Sequence, residues 1–218
     1  MSLAEHEYKL KERRLKGVIA VLLVICIVSV AVNVINARRA ENIRQIYMSS
    51  IWSELDNLEV LLGSLNFVIE NEYGDLKISV LESLRSTTNS IDMNITRLSS
   101  HQNFRGLIPG MWHLDNHIRS QVHQILDNRA TPVNIAAFQS FLTRRQGELG
   151  ELIADLTLEW EEEWWGERVT ISGPNTNMST RQFFNRLRNF TASVDDEVIE
   201  HIRLQNLNHQ VQQRVIEQ

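Results

Sequence analysis

A run of 21 residues at 17–37 contains no charged side chain and is rich in valine, isoleucine and leucine. Its polar interruptions are Ser29, Asn33 and Asn36, and the two asparagines lie near its end. A helix rises about 1.5 Å per residue, so about 20 apolar residues cross the hydrocarbon core of a bilayer. The run therefore predicts a transmembrane helix, which constrains how the rest of the chain can fold.

The same run has two interpretations, a permanent anchor or a cleaved signal peptide. Ser29, Val30 and Ala31 form the small–x–small pattern that signal peptidase recognises. The apolar run continues beyond that pattern to residue 37, and the region before it is long for a signal peptide. We expect an uncleaved signal anchor, with cleavage after Ala31 as the alternative.

Basic side chains are concentrated before the run and predict its orientation. Residues 1–16 carry five basic and three acidic side chains, whereas Arg38 and Arg39 follow the run. The positive-inside rule then places the N-terminal tail in the cytoplasm. The sequence predicts a single-pass protein of the cell membrane, with a cytoplasmic tail at 1–16, a signal anchor at 17–37 and an extracytoplasmic domain at 38–218.

The composition of the outer part disfavours several classes of function. Residues 40–218 carry 15 basic and 24 acidic side chains, a net charge of −9, which gives no electrostatic footprint for nucleic acid. The single cysteine, Cys26, lies in the apolar run, so the outer part has no thiol nucleophile and no intrachain disulfide. The sequence has no glycine-rich phosphate loop and no G-x-S-x-G motif. We expect a non-enzymatic protein without a cofactor.

The spacing of apolar residues predicts helices through most of the outer part. Seven apolar residues alternate at spacings of three and four, which is the heptad pattern of coiled coils; they are Met48, Ile51, Leu55, Leu58, Leu62, Leu65 and Ile69. Further helices are expected at 76–100, 111–127, 131–165 and from 179 onward, with loops at 101–110 and 166–177. The predicted fold is all-α, one transmembrane helix continuing into an antiparallel helical bundle of four to five helices. Whether the fifth helix packs in the core stays open.

Three tryptophans near the end of the fourth predicted helix are candidates for a site. Trp160, Trp164 and Trp165 would share one helix face, with Glu161 beside them. Tryptophan in that position packs in a core, anchors a domain at a membrane interface, or forms an aromatic cage for a cationic ligand with a carboxylate nearby. Core packing is the expectation, and the other two interpretations make these residues ligand or membrane-interface candidates.

Two further pairs of residues are candidates on the predicted helices. Thr87 and Asn94 are polar at heptad positions, where such residues fix helix register or line a ligand site between helices. His113 and His117 have the i, i+4 spacing of metal ligands, but no third ligand is suitably spaced. We expect both histidines to be half-exposed on a surface helix, with a metal site as the alternative.

Two functions are consistent with these patterns. The first is a membrane-anchored protein of the cell envelope whose outer bundle binds a partner protein or associates with itself. The second is a sensory or accessory module that holds a small molecule between its helices. A ligand-dependent shift in the melting temperature would favour the second function.

Overall fold

The computed structural model describes the backbone of residues 3–102, 110–165 and 167–216, and the side chains of 15–73, 75–102, 110–165 and 167–200. The chain divides into two compact units, Met1–Ile43 and Arg44–Gln218. The described residues form five helices and two strands: α1 (Leu3–Glu70), α2 (Gly74–His101), α3 (Trp112–Leu126), α4 (Pro132–Leu156), β1 (Thr157–Trp164), β2 (Glu167–Pro174) and α5 (Thr180–Ile216). The prediction of a mostly helical chain is confirmed.

The first unit holds the N-terminal part of α1 and the predicted apolar run. This part of α1 contains a window long and apolar enough to cross a membrane, and none of that window is buried within the protein. Leu22 and Ile25, for example, are more than half exposed. The prediction of one helix of membrane-spanning length near the N-terminus is confirmed.

The core of the second unit is built on the heptad stripe of α1. All seven stripe residues predicted above are buried, and they pack with apolar residues from each of the other four helices. Among the side chains that the structure describes, six residues of helix α5 belong to this core, namely Phe183, Phe184, Leu187, Phe190, Val194 and Val198. A fully buried leucine or phenylalanine stabilises a fold by roughly 1.5–3 kcal/mol. The described part of α5 therefore packs against the core, up to and including Val198.

Three hydrogen bonds between side chains connect α1 with α2 and show their relative direction. They are Asn94 Nδ2 to Ser50 Oγ at 2.9 Å, Ser90 Oγ to Glu54 Oε1 at 2.8 Å, and Asn57 Nδ2 to Thr87 Oγ1 at 3.0 Å. Residue numbers rise along α1 as they fall along α2, so these two helices run in opposite directions. The same reversal relates α1 to α4. Asn66 Nδ2 donates to Thr143 Oγ1 of α4 at 3.4 Å, and Trp52 Nε1 donates at 3.0 Å to Thr157 Oγ1, the C-cap residue of α4.

Residues 157–174 differ from the prediction. The fourth helix ends at Leu156, and a β-hairpin replaces both the predicted end of that helix and the loop that was expected after it. In β2, Val169 and Ile171 alternate with polar residues. This two-residue periodicity is typical of a half-exposed strand. Because β1 pairs with β2, residues 157–164 form a strand instead of continuing α4. The predicted helix end and loop are therefore wrong for these two segments, whereas the rest of the described chain is mostly helical.

Candidate functional site

The hairpin is a two-stranded antiparallel sheet that projects from the end of α4. Its register runs from Thr157 opposite Pro174 to Trp164 opposite Glu167, so residues 165 and 166 connect the strands. Trp165 has a φ of 54°, the left-handed conformation that two-residue hairpin connections require. Within the described ranges no third strand pairs with either edge of this sheet. Both edges therefore present backbone groups that another strand could pair with.

The register divides the hairpin side chains between two faces, since directly opposed residues share a face. We call one the indole face, formed by Leu158, Trp160, Glu162, Trp164, Glu167, Val169, Ile171 and Gly173. We call the other the acidic face, formed by Glu159, Glu161, Glu163, Arg168, Thr170 and Ser172. One face thus carries two tryptophans with aliphatic neighbours, and the other carries a row of three glutamates along β1.

The predicted tryptophan cluster is only partly present. Trp160 and Trp164 do share a face, because a separation of four residues keeps the same side of a strand as well as of a helix. Trp165 lies in the connection and is 100% exposed, while Glu161 lies on the acidic face. Trp160 and Trp164 are 39% and 57% exposed. Core packing of the three indoles at a helix end is therefore wrong, since the strand exposes them.

Glu162 holds the two indoles of the indole face together. Its carboxylate accepts a hydrogen bond from Trp160 Nε1 and another from Trp164 Nε1, each at 3.0 Å. The bond from Trp164, followed by that from Trp160, lowers the pKa of Glu162. Glu162 is therefore anionic at neutral pH. Both indole N–H groups are used within the hairpin, which leaves the ring surfaces available for contact.

Gly173 allows the Trp160 ring to lie against β2. A Cβ atom at position 173 would stand 2.9 Å from Trp160 Cη2 and 3.1 Å from Cζ3, closer than carbon atoms pack. An aromatic ring over a strand glycine is a known means of fixing a sheet. The glycine therefore sets the position of Trp160 on the indole face.

The base of the hairpin is attached to the helices of the second unit. Asn175 N donates to Leu156 O at 2.7 Å, which closes the hairpin across the end of α4. The Arg44 guanidinium donates to the carbonyls of Thr176 at 2.6 Å and Met178 at 2.7 Å. The segment after β2 is thus hydrogen-bonded to the first residue of the unit, and the exposed strands extend from this base.

The hairpin is strongly acidic. Residues 157–174 carry five glutamates and one arginine, a net charge of −4. Arg168 Nη1 lies 3.7 Å from Glu161 Oε2. Glu159 and Glu163 form no ion pair with any residue that the structure describes. Two carboxylates beside the outer edge of β1 therefore lack a cationic partner within this part of the chain.

No family model, curated protein or solved structure matches this chain. Function is therefore inferred from its own residues.

The polar heptad residues form contacts between helices. Thr87 and Asn94 are buried and take part in the hydrogen bonds with Asn57 and Ser50 of α1 described above. If α2 were shifted along α1, few of the resulting registers would leave both buried groups hydrogen-bonded. The contacts support the role of Thr87 and Asn94 in fixing register, which stays a prediction.

The two histidines of α3 have different surroundings. His113 is exposed and its ring lies 4.7 Å from that of Trp112. His117 is buried, with its ring 4.7 Å from Phe141 and 6.4 Å from Phe138 of α4. The expectation of half-exposure is therefore wrong for His117. In the part of the chain that the structure describes, no group of three or more His, Cys, Asp or Glu residues is placed to hold a metal ion.

Sequence reasoning missed a charged cluster between α4 and α5. Arg145 is only 3% exposed, and its guanidinium donates to Ser193 Oγ at 2.7 Å and to Ser193 O at 3.0 Å. It also donates to the carboxylates of Glu148 and Glu197 and lies 5.5 Å above the Phe141 ring. Burial lowers the pKa of Arg145, and the nearby Glu148 carboxylate opposes that shift.

A small cavity adjoins this cluster between α3, α4 and α5. Its volume is about 130 Å³, and it is lined by His117, Gln121, Asn134, Ala137, Phe138, Phe141 and Glu197. Aromatic rings, an imidazole, two amides and a carboxylate therefore meet at one place. The heptad pattern could not have indicated this cavity, because its lining residues come from three separate helices.

Proposed function

We propose that this chain is a non-enzymatic, single-pass membrane protein whose outer domain binds a partner protein through the hairpin. The N-terminal tail at 1–16 lies in the cytoplasm, the anchor spans the membrane, and residues 38–218 form an antiparallel helical bundle on the outside. The exposed apolar part of α1 and the basic tail before it support this topology. The absence of catalytic motifs from the sequence supports a binding role.

One observation carries the proposal, namely that an ordered hairpin exposes three tryptophans. An isolated two-stranded hairpin is marginally stable in water, so a chain that retains one in exposed form has a use for its surface. Tryptophan is enriched among the residues that dominate binding energy at protein interfaces. Contiguous exposed apolar surface is typical of an interaction site.

The charge of the hairpin favours a protein over a lipid surface. Five glutamates against one arginine would be repelled by anionic headgroups. Tryptophan uses its indole N–H group at a membrane interface, and those of Trp160 and Trp164 already donate to Glu162. A partner with basic and apolar side chains complements both faces of the hairpin.

Site-specific photo-crosslinking in intact cells tests this proposal. A photoreactive amino acid replaces Trp165 at the hairpin connection, and the control replaces Val133, which is 76% exposed in the first turn of α4. We expect a discrete protein adduct from position 165 and none of the same size from position 133. Adducts with lipid alone, or identical adducts from both positions, would contradict the proposal.

The cavity beside Arg145 favours a second candidate function, the binding of a small polar molecule between helices. Its lining combines two phenylalanine rings with His117, Gln121 and Glu197, which resembles the mixture of apolar walls and few polar groups in ligand sites. Replacing Ala137 by leucine would fill part of the cavity. A small molecule that raises the melting temperature of the wild-type protein, but not of Ala137→Leu, would support this function.

A further inference from the structure

We propose that the outer edge of β1 is a docking strand for an extended segment of the partner in which basic and apolar residues alternate. The inference rests on the proposed function, because it specifies the chemistry of the segment that the hairpin would bind. It concerns one edge of the hairpin, whereas the proposed function requires only that the hairpin touch a protein. The two can therefore fail separately.

The register determines which backbone groups of β1 face outward. A two-residue connection makes Trp164 and Glu167 a hydrogen-bonded pair. Alternate residues of β1 then direct their N–H and C=O groups toward β2, and the intervening residues direct theirs to the outer edge. The outward groups belong to Glu159, Glu161 and Glu163, so the unpaired backbone and the row of carboxylates occur at the same residues.

Because the outward backbone groups and the carboxylates belong to the same residues of β1, they define the sequence pattern of a partner segment that can pair with this edge. The three glutamates stand two residues apart, about 6.6 Å between neighbours along a strand. A strand added antiparallel to β1 places every second side chain directly opposite one of them, with Cβ atoms about 5 Å apart. Lysine or arginine at those positions would pair with the carboxylates. The alternate side chains emerge on the indole face, beside Trp160 and Trp164, where apolar residues fit.

A second copy of this chain fits the edge poorly. Two β1 strands paired antiparallel would bring glutamates opposite glutamates, and like charges directly opposed in a sheet are destabilising. Charged side chains along an edge strand are a common device against pairing with identical chains. The acidic edge thus selects for a basic strand and against itself.

Binding of designed peptides to the full-length protein in lipid nanodiscs tests the inference. The probe is a capped peptide of about seven residues, an ordinary strand length, with alternating lysine and valine. A control of the same composition places all lysines before all valines. We expect the alternating peptide to bind about tenfold more tightly, a difference of 1.4 kcal/mol, measured by titration of tryptophan emission. Equal affinity for the two peptides would overturn the proposal, since simple charge attraction would then explain binding.

A matched pair of variants tests which carboxylates the peptide contacts. Glu163 lies on β1 with its backbone on the outer edge, whereas Glu167 lies opposite Trp164 on β2. Both are exposed, so neither substitution disturbs the core. We expect Glu163→Gln to weaken binding about threefold and Glu167→Gln to leave it unchanged. Equal effects of the two substitutions would overturn the proposal.

Backbone methylation of the peptide separates strand pairing from side-chain attraction. In an antiparallel pair, the lysines opposite the glutamates direct their N–H groups toward β1, and the valines direct theirs away. N-methylation of the lysine amides should abolish binding, while N-methylation of the valine amides should preserve it. The opposite result, or no difference, would overturn strand addition.

The outcomes distinguish this inference from the proposed function. If position 165 gives a protein adduct but the two peptides bind equally, the partner protein is supported and the docking strand is refuted. If N-methylation of the lysine amides abolishes peptide binding but no adduct forms in cells, the docking strand is supported and the cellular partner is refuted. Insertion of the indoles into phosphatidylcholine vesicles, with no preference between peptides, overturns both in favour of a lipid surface.

Discussion

Replacing Arg145 should destabilise the second unit far more than replacing its neighbour Arg144. Arg145 is 3% exposed and joins α4 to α5 through Ser193 and Glu197. Arg144 is 54% exposed, and among the described residues its ion-pair partner is Glu197. The substitution Arg145→Met keeps an unbranched apolar side chain at this buried position but removes the charge and its hydrogen bonds. Arg144→Met is the matched control at the adjacent position.

The expected loss in the free energy of unfolding depends on which charges stay buried without a partner after each substitution. Removing one partner of a buried ion pair costs about 3–5 kcal/mol, because the other charge is left buried and unpaired. Glu197 would retain Arg144 and is 29% exposed, so we expect the lower end, about 3 kcal/mol, for Arg145→Met. An exposed pair contributes about 1 kcal/mol or less, which limits the effect of Arg144→Met. In a domain of this size 1 kcal/mol shifts the melting temperature by about 2–4 °C.

The assay is thermal and urea unfolding of the full-length protein in detergent micelles, followed by circular dichroism and tryptophan emission. We expect Arg145→Met to melt about 6–12 °C below the wild type and Arg144→Met to melt within about 4 °C of it. Adding Glu197→Gln to Arg145→Met should cost little more, since Glu197 has already lost its buried partner. Equal melting temperatures for the two arginine variants would refute the reasoning that burial, rather than charge, determines the effect.

Three further predictions follow from individual contacts. Burial raises the pKa of the Asp92 carboxyl above its ordinary value of 3.8, although a hydrogen bond from Met111 N opposes the shift. The folded state therefore binds the carboxyl proton more tightly than the unfolded state does. The free energy of unfolding consequently falls as the pH rises from 3.8 through the raised pKa. Asp92→Asn keeps an acceptor and should abolish this fall, measured by urea unfolding between pH 4 and 7; an unchanged pH profile would contradict it. Thr131→Ala removes the acceptor for Asn134 N at 3.2 Å and should cost about 1 kcal/mol in the same assay, whereas Thr131→Ser should cost little. Gly173→Ala should displace the Trp160 ring and speed hydrogen exchange of hairpin amides, with the urea midpoint nearly unchanged; unaltered exchange would show that the close approach is unimportant.

Local chemistry made the helices and their ends predictable. The heptad stripe of α1 is a repeated pattern within one segment, and its residues lie in the core. Thr131 caps the start of α4, and Ser179 and Gln182 exchange hydrogen bonds in a capping box at the start of α5. Patterns of this kind involve residues a few positions apart, so one segment contains the whole signal.

The hairpin was missed because its first strand is ambiguous when taken alone. Trp160 and Trp164 are spaced by four, which fits one face of a helix and one face of a strand equally. Glutamate and leucine around them favour a helix, and only pairing with β2 reverses that preference. The left-handed conformation of Trp165 completes the turn and belongs to the hairpin as a unit.

The sequence by itself determined the membrane-length apolar helix, the acidic character of residues 40–218 and the helical stripe, because each is a property of neighbouring residues. The tertiary structure alone decided that the tryptophans are exposed, that Glu162 joins two of them, and that Arg145 is buried between carboxylates. These features depend on residues from separate segments, and their energies arise only when packing brings those segments together. The candidate site therefore follows from strand pairing, which no single stretch of this sequence specifies.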